Sequence, residues 1–411
     1  MTTTSQPVRP LAPMVSTGRG VLGHARGFWV IAFAFVVAMA YSTVPTPLYS
    51  LYEKRDGFAA FTVTLVFAAY AVGVALSLFL AGHVSDWFGR RRVLLPALLV
   101  QVVSAVLFLV WPELPGLVIA RVLTGVGVGL ITATATAHLS ELHAAARPNA
   151  SRTRAELVST AANMGGLGLG PLVSGFLAQF VTGPLTTPYL VFIGLLLVAA
   201  IGVALVPETV ELAEERPAYR PQRVRVPGDA RARFVAAALG TVIGFAVFGM
   251  FTSLAPVFVA GTMHVTSHVV AGVVGSLAFL AAAGMQLVFG RATTRTQLSG
   301  GLGLLVLGLV PVVVSLFVAS LPLFFVGGVL AGGGVGMLFK GAVTTVAGLA
   351  EAGSRGEALA GLFLAAYIGL AIPVIALGLV VQSVPATFAV LGFAVLVAVV
   401  GAAVAPRLVR R

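Results

Sequence analysis

Long apolar runs make up nearly the whole chain, and only short polar segments separate them. A helix needs roughly 20 apolar residues to cross the hydrocarbon core of a bilayer. Only 9% of the residues are charged, too few to give a protein of this length a water-soluble surface. The sequence therefore predicts an all-α membrane protein with twelve transmembrane helices, over residues 28–51, 60–82, 93–111, 115–142, 156–181, 187–206, 234–260, 268–289, 298–318, 322–348, 358–382 and 386–405.

The basic residues divide unevenly between alternate gaps of this pattern. With the N-terminus inside, 21 of the 25 Lys and Arg residues lie in segments on the inner side, whereas only Lys54 and Arg55 lie outside. Positive charge is retained on the cytoplasmic side of membranes. Arg also outnumbers Lys 23 to 2, a bias typical of GC-rich bacterial genomes. We therefore expect a multi-pass protein of the bacterial inner (plasma) membrane with both termini in the cytoplasm, and no nucleic-acid partner.

One long polar segment, with four prolines and mixed charges, divides the spans into six and six. The expected organisation is an N-terminal tail, a six-helix half, a linker, a second six-helix half and a C-terminal tail, over residues 1–27, 28–206, 207–233, 234–405 and 406–411. The halves repeat, since Leu114-Pro115 and Leu321-Pro322 are each followed at the same distance by three alternating glycines. Repeated halves are typical of transporters that rock about a central site.

A short basic turn joins the second and third spans and contains Gly82, Asp86, Gly89, Arg90 and Arg91. The glycines permit a sharp turn. The aspartate can accept hydrogen bonds from an arginine or from a helix N-terminus, and such a contact can latch one conformation. The alternative is a plain basic turn that only sets orientation.

The fifth span carries small residues around a proline, at Gly166, Gly170, Pro171 and Gly175. The proline removes a backbone hydrogen bond and bends a helix. The small residues allow a neighbouring helix to approach closely, which is also what generic helix packing requires.

These two motifs resemble signatures of the major facilitator superfamily, the second being that of its drug/proton antiporters. Trp87 stands where a basic residue is usual in the first motif, and Ser174 replaces a glycine in the second. The segment from Arg121 to Gly129 is similar to a further signature, an arginine followed by spaced glycines. The resemblance spans nearly the whole chain. It implies alternating access, efflux driven by the proton gradient without a cofactor, and a monomer whose partners are the bilayer and a small molecule.

Two cations lie within predicted spans, Arg121 in the fourth and Lys340 in the tenth. A charge at this depth is costly and faces a bundle interior or a wet cavity, where it can bind substrate. The alternative for each is snorkelling, Arg121 towards the outer surface and Lys340 towards the cytoplasm.

Weaker candidates are uncharged or lie near span ends. His138 and Glu141 lie one turn apart near the inner end of the fourth span, where they either share a proton or meet lipid headgroups. Polar side chains at span depth either line a cavity or bond between helices, and these are Tyr70, Asn163, Gln286 and Tyr367.

The acidic residues avoid the middle of every predicted span, and the chain has no cysteine. If Arg121 and Lys340 both face a cavity, the electrostatic potential of that cavity is positive and favours neutral or anionic substrates. We therefore predict a secondary active transporter that exports such a drug-like compound or metabolite. The alternative is a uniporter or proton symporter that imports an organic anion or a sugar-like solute.

Other classes of protein fit less well. A membrane enzyme needs acids, bases or metal ligands clustered at one depth, and the sequence offers no such cluster. His264 and His268 have the spacing of a metal pair but lack a third ligand, so no metal site is expected.

Overall fold

The computed structural model of the protein describes residues 21–81, 84–210, 228, 230–350 and 355–409. These residues form helices joined by short turns, and no β-strand occurs among them. In the first half the α-helices are α1 (His24–Thr43), α2 (Tyr49–Asp56), α3 (Ala60–Ala81), α4 (Val84–Phe88), α5 (Arg90–Val110), α6 (Leu114–Ala146), α7 (Thr153–Thr160), α8 (Gly166–Phe180) and α9 (Thr187–Leu205). In the second half they are α10 (Arg231–Ser253), α11 (Ala255–Thr262), α12 (His268–Val288), α13 (Thr294–Phe317), α14 (Leu321–Leu349), α15 (Arg355–Val380) and α16 (Ala386–Val409).

Twelve helical segments of the described chain are long and apolar enough to cross a membrane, which confirms the predicted fold class. Several extend about a turn beyond the apolar run, since α5 begins at Arg90 and α6 continues to Ala146. The apolar run marks the hydrocarbon thickness, whereas the helix continues into the headgroup region, where charged side chains are solvated. Of the predicted tails and linker, residues 1–20, 211–227, 229 and 410–411 lie outside the described residues.

Three spans predicted as single helices are interrupted. The first breaks after Thr43 into a 3₁₀ turn at Thr46–Leu48 and then α2. The seventh breaks at Leu254, and Pro256 lies in the first turn of α11, where a missing N–H is tolerated. The fifth contains a π-helical turn at Ala161–Gly165, between α7 and α8. The first and seventh spans open the two halves, so these breaks occur at related places in the repeat.

We call the membrane surface that carries Arg90, Arg147 and Arg291 the basic face, and the surface that carries Lys54 and Arg55 the opposite face. The halves meet where α3 packs on α15 and where α8 packs on α12. The α8–α12 crossing is close because Gly175 faces Gly272, and a Cβ on either glycine would collide with backbone of the other helix. Small residues at such crossings let backbones touch.

Candidate substrate site between the two halves

A small cavity lies between the halves and is bounded by helices of both. Its volume is about 40 Å³. A single water needs roughly 10–15 Å³, and ligand sites usually have about 300–1,000 Å³, so the cavity is nearly closed in this conformation. Its lining consists of Ser42, Thr43, Thr46, Phe67, Tyr70, Arg121, Leu167, Phe245, Phe248, Thr252, Phe279, Tyr367 and Leu370.

Arg121 is the only charged side chain among the lining residues that the structure describes. It lies about two turns into α6 and is 2% exposed. Its Nη1 donates a hydrogen bond to the carbonyl oxygen of Ser42 at 2.7 Å. The guanidinium carbon also lies 4.5 Å from the ring centre of Tyr70 and 5.8 Å from that of Phe67. The side chain therefore points into the bundle and not towards the opposite face.

The contacts of Arg121 offset much of the cost of its burial but leave its charge unneutralised. Removing a charge from water costs several kcal/mol in proteins. A hydrogen bond from a charged group contributes about 1.5–3 kcal/mol, and a desolvated cation–π contact contributes about 2 kcal/mol. Nε is buried and has no hydrogen-bond partner in the described part of the chain. Because no described lining residue is Asp or Glu, the cavity keeps a net positive charge.

A buried group of hydroxyls positions the backbone beside Arg121. The Oγ of Ser104 lies 2.8 Å from the carbonyl oxygen of Ala120, 2.8 Å from the hydroxyl of Tyr41 and 2.7 Å from that of Thr124. These contacts join α1, α5 and α6. Since Ala120 directly precedes Arg121, they fix the point at which the arginine enters the cavity.

Aromatic rings form most of the remaining lining. Phe248 lies 4.5 Å from Phe279 and 5.5 Å from Phe245, measured between ring centres, and Phe245 lies 6.3 Å from Tyr367. The rings can bind an apolar or aromatic body, while the guanidinium can bind an anionic group. The sequence points to Tyr367 but not to the phenylalanines, because Phe is frequent throughout the spans and no spacing marks those that face the cavity.

Lys340, Gln286 and Asn163 lie outside the described cavity lining. The Nζ of Lys340 lies close to Gly290, which follows the basic-face end of α12. A Cβ added to Gly290 would be 2.9 Å from this Nζ. Gln286 is buried near the same end of α12, with an Nε2 that lacks a partner among the described residues. Asn163 lies in the π turn before α8.

A second arginine, Arg90, is the centre of a charged network at the basic face. Its guanidinium donates to Glu141 at 2.7 Å, to Asp86 at 2.5 Å and to the Oγ of Ser85 at 2.7 Å. Glu141 also accepts from the hydroxyl of Thr209 at 2.5 Å. These described partners belong to the first half, except Thr209 at the start of the linker, and they join the start of α5 to the end of α6 and the segment after α9.

Glu208 caps the N-terminus of α5 beside that network. Its carboxylate accepts from the backbone N–H of Arg90 at 2.8 Å and of Arg91 at 3.0 Å. A carboxylate at a helix N-terminus satisfies free N–H groups and interacts favourably with the helix dipole. Gly89, which precedes the helix, has a φ of +96°, and a Cβ there would meet the Glu208 carboxylate. Gly82, the first residue of the predicted motif, lies outside the described residues.

His138 and Glu141 do not share a hydrogen bond. The Nε2 of His138 donates to the carbonyl oxygen of Pro207 at 3.2 Å, and its Nδ1 is buried without a partner in the described chain. Glu141 is instead occupied by Arg90 and Thr209. No sequence pattern points to Glu208 or Thr209, because both lie at the start of a polar segment that has the composition of a linker.

The small residues of the fifth span pack on two neighbours. Gly166 and Gly170 face the backbone of α1, whereas Pro171 and Gly175 face α12 of the other half. The helix continues without interruption through Pro171, and the irregular turn lies earlier, at Ala161–Gly165. The motif therefore lies on a contact between the halves.

Two curated relatives match short stretches of the chain. The arabinose-proton symporter of Bacillus subtilis (strain 168) is 30% identical over 94 residues, which are 23% of this chain and 19% of the relative. The bacillibactin exporter of the same strain is 37% identical over 54 residues, which are 13% of each protein. The chain thus spans less than a fifth of the length of these relatives.

Solved structures match over almost the full chain. The human organic anion transporter MFSD10 (TETRAN) superposes with a TM-score of 0.69 at 17% identity, covering 93% of this chain and 99% of that one. A mutant of the nucleoside transporter NupG gives a TM-score of 0.73 at 10% identity, with the same coverage. At such identities the likeness shows a shared fold.

The sequence model of one family covers residues 30–310, well over half of the chain. The relatives and the solved structures named above are all transporters, which agrees with a family of transport proteins and not of enzymes. With its twelve spans and its two six-helix halves around a shared cavity, the chain belongs to the Major Facilitator Superfamily.

Proposed function

We propose that the protein exports a small neutral or anionic organic molecule by alternating access, in exchange for protons. The observation that carries this proposal is the buried guanidinium of Arg121 in a cavity between the halves, with no carboxylate among the described lining residues. Such a site attracts negative charge and repels cations. The aromatic lining favours substrates with an apolar or aromatic body.

The size of the cavity supports a cycle in which the halves separate. A volume of about 40 Å³ holds no drug-like molecule, so the substrate enters only when one face opens. The halves at residues 28–206 and 234–405 then act as the rocking bodies, joined by the linker at 207–233. The network of Asp86 and Arg90 would stabilise one of the two states.

Two features support export. The fifth-span motif resembles that of drug/proton antiporters, and its residues pack where the halves meet. One relative is named an exporter. We further propose that the basic face is cytoplasmic, because most of the Arg residues lie there. Both termini would then lie in the cytoplasm and the protein in a bacterial plasma membrane. The proposed working unit is a monomer.

A second candidate is a uniporter or proton symporter that imports an organic anion or a sugar-like solute. The uniporter form is favoured by the lining itself, because arginine does not release its proton in proteins and no described lining residue is a carboxylic acid. One relative is named a proton symporter for a sugar.

Transport into inside-out vesicles separates the two candidates. A growth-inhibition panel in a host without its own efflux pumps first supplies candidate substrates. A proton antiporter accumulates substrate when the lumen is acidic, and a protonophore abolishes the accumulation. Substrate uptake that does not depend on the proton gradient would exclude the antiporter. Loss of substrate from the lumen that is driven by the proton gradient would establish import. Arg295→Ala is the matched control for Arg121→Ala, since Arg295 is exposed at the basic face.

A further inference from the structure

We propose that the central cavity binds one chloride ion against Arg121 in the absence of substrate, and that an anionic substrate displaces it. This inference rests on the proposed function in assuming that substrate binds at the same site. Chloride binding is measured without transport, so the two proposals can fail separately.

Most N–H groups of the Arg121 guanidinium have no acceptor in the described chain. Of its five N–H groups, the structure gives one a protein acceptor, the carbonyl oxygen of Ser42 at 2.7 Å. Nε is buried and has no partner in the described chain. Two of the neighbouring hydroxyls are already used, since Thr43 donates to the carbonyl of Leu167 at 2.8 Å and Thr252 to that of Phe248 at 2.6 Å. As the one charged side chain of the described lining, Arg121 supplies the strongest contact to an anionic ligand in the cavity.

The described part of the chain places no counter-ion in the cavity beside this charge. The described lining contains no Asp or Glu. Among the acidic side chains beyond it, Asp86 and Glu141 are occupied by Arg90 at the basic face. The rings of Tyr70 and Phe67 stabilise the cation but do not cancel its charge.

The cavity selects the counter-ion by size. Its volume of about 40 Å³ equals that of a few water molecules, since one needs roughly 10–15 Å³. A monatomic anion such as chloride fits in the cavity that Arg121 lines, whereas an organic anion such as gluconate enters only after the halves separate. Chloride bound here would neutralise the site in the closed conformation. Export of an anion through this site is then competitive with chloride.

Thermal unfolding of the purified protein in lipid nanodiscs tests the proposal. Sodium chloride is titrated against sodium gluconate at constant ionic strength. We expect chloride and bromide to raise the unfolding midpoint saturably, by roughly 2–4 °C, because a ligand that binds only the folded state stabilises it. Arg121→Gln should abolish this rise, Arg121→Lys should retain it at higher chloride concentration, and Arg295→Gln should leave it unchanged. Equal midpoints in chloride and gluconate for the unaltered protein would refute the proposal, as would a full chloride response in Arg121→Gln.

A second measurement keeps the test decisive if Arg121→Gln fails to fold. Crystals of the unaltered protein are grown in bromide, and anomalous scattering locates the ion. A peak within hydrogen-bonding distance of Arg121 Nε supports the proposal, whereas no peak in the cavity overturns it. Suppose that Arg121→Ala loses transport but the unaltered protein binds no chloride. This result would refute the chloride inference and leave the proposed function intact.

Discussion

Two buried arginines of the first half have opposite surroundings. Arg90 donates to Glu141, Asp86 and Ser85, so its charge and its donors are satisfied by the protein. Arg121 donates to one backbone carbonyl and otherwise meets aromatic faces. An arginine whose partners are supplied by the fold stabilises the fold, whereas one left with unused donors beside a cavity is available to a ligand. Burial alone does not distinguish the two roles, but the partners do.

The largest expected effect comes from removing the arginine at the cavity. Arg121→Ala should lower substrate transport by roughly 30-fold or more, because losing a buried charged contact to a ligand costs about 2–5 kcal/mol. The amount of protein in the membrane should be unchanged, because no protein carboxylate loses its partner. Vesicle transport normalised to immunoblot signal measures both. Full transport in this variant would contradict a substrate role for Arg121.

The basic-face arginine should give the reverse pattern. Arg90→Ala leaves Glu141 and Asp86 without their cation, and we expect the free energy of unfolding to fall by about 2–3 kcal/mol. Transport per folded molecule should fall less than in Arg121→Ala. Thermal unfolding in detergent and the transport assay provide the comparison, with exposed Arg295→Ala as the control. An unchanged midpoint would show that the network does not stabilise the fold.

The helix cap in the same network should matter less. Glu208→Ala removes the acceptor of two backbone N–H groups at the start of α5, and losing such a cap costs about 1 kcal/mol. Glu208→Gln keeps an acceptor and loses only the charge–dipole interaction, which contributes about 0.3–1 kcal/mol. Measured by thermal unfolding, the midpoint should be highest for the unaltered protein, lower for Glu208→Gln and lowest for Glu208→Ala. A Gln variant as unstable as the Ala variant would assign the effect to charge alone.

The smallest effect belongs to the hydroxyl beside Arg90. Ser85→Ala removes one of several acceptors and should cost about 0.5–1 kcal/mol, since a carboxylate still accepts from the same guanidinium nitrogen. Thermal unfolding measures this change. A loss as large as that in Arg90→Ala would mean that Ser85, and not the carboxylates, holds the arginine in place.

The sequence predicts the parts of this molecule that depend on the bilayer. The two repeated halves follow from the polar segment between the sixth and seventh spans and from the Leu-Pro and glycine pattern that both halves carry. The twelve spans follow from the cost of placing polar groups in hydrocarbon. For the same reason the sequence points to Arg121 as unusual. The choice between a cavity and snorkelling depends on where α6 faces, which only the packing of α1 and α3 against it determines.

Packing between distant segments is what the sequence does not reveal. Phe248 and Phe279 face the cavity, whereas Phe317 and Phe388 are exposed on the outside of the bundle, and the sequence around all four is similarly apolar. Glu208 follows a span and looks like the start of a linker, yet it caps a helix more than a hundred residues earlier in the chain. Such contacts leave no periodicity in the sequence, because the partners come together only when the helices assemble.

The touching glycines of α8 and α12 have a practical consequence. Gly175 and Gly272 meet with no side chain between them, so the backbones of the two bundles are in direct contact at this point. A methyl group added at Gly175 would collide with the backbone of α12 and keep the two bundles apart at this point. An alanine there offers a way to trap a single conformer, which could then be captured for imaging or for raising conformation-specific antibodies.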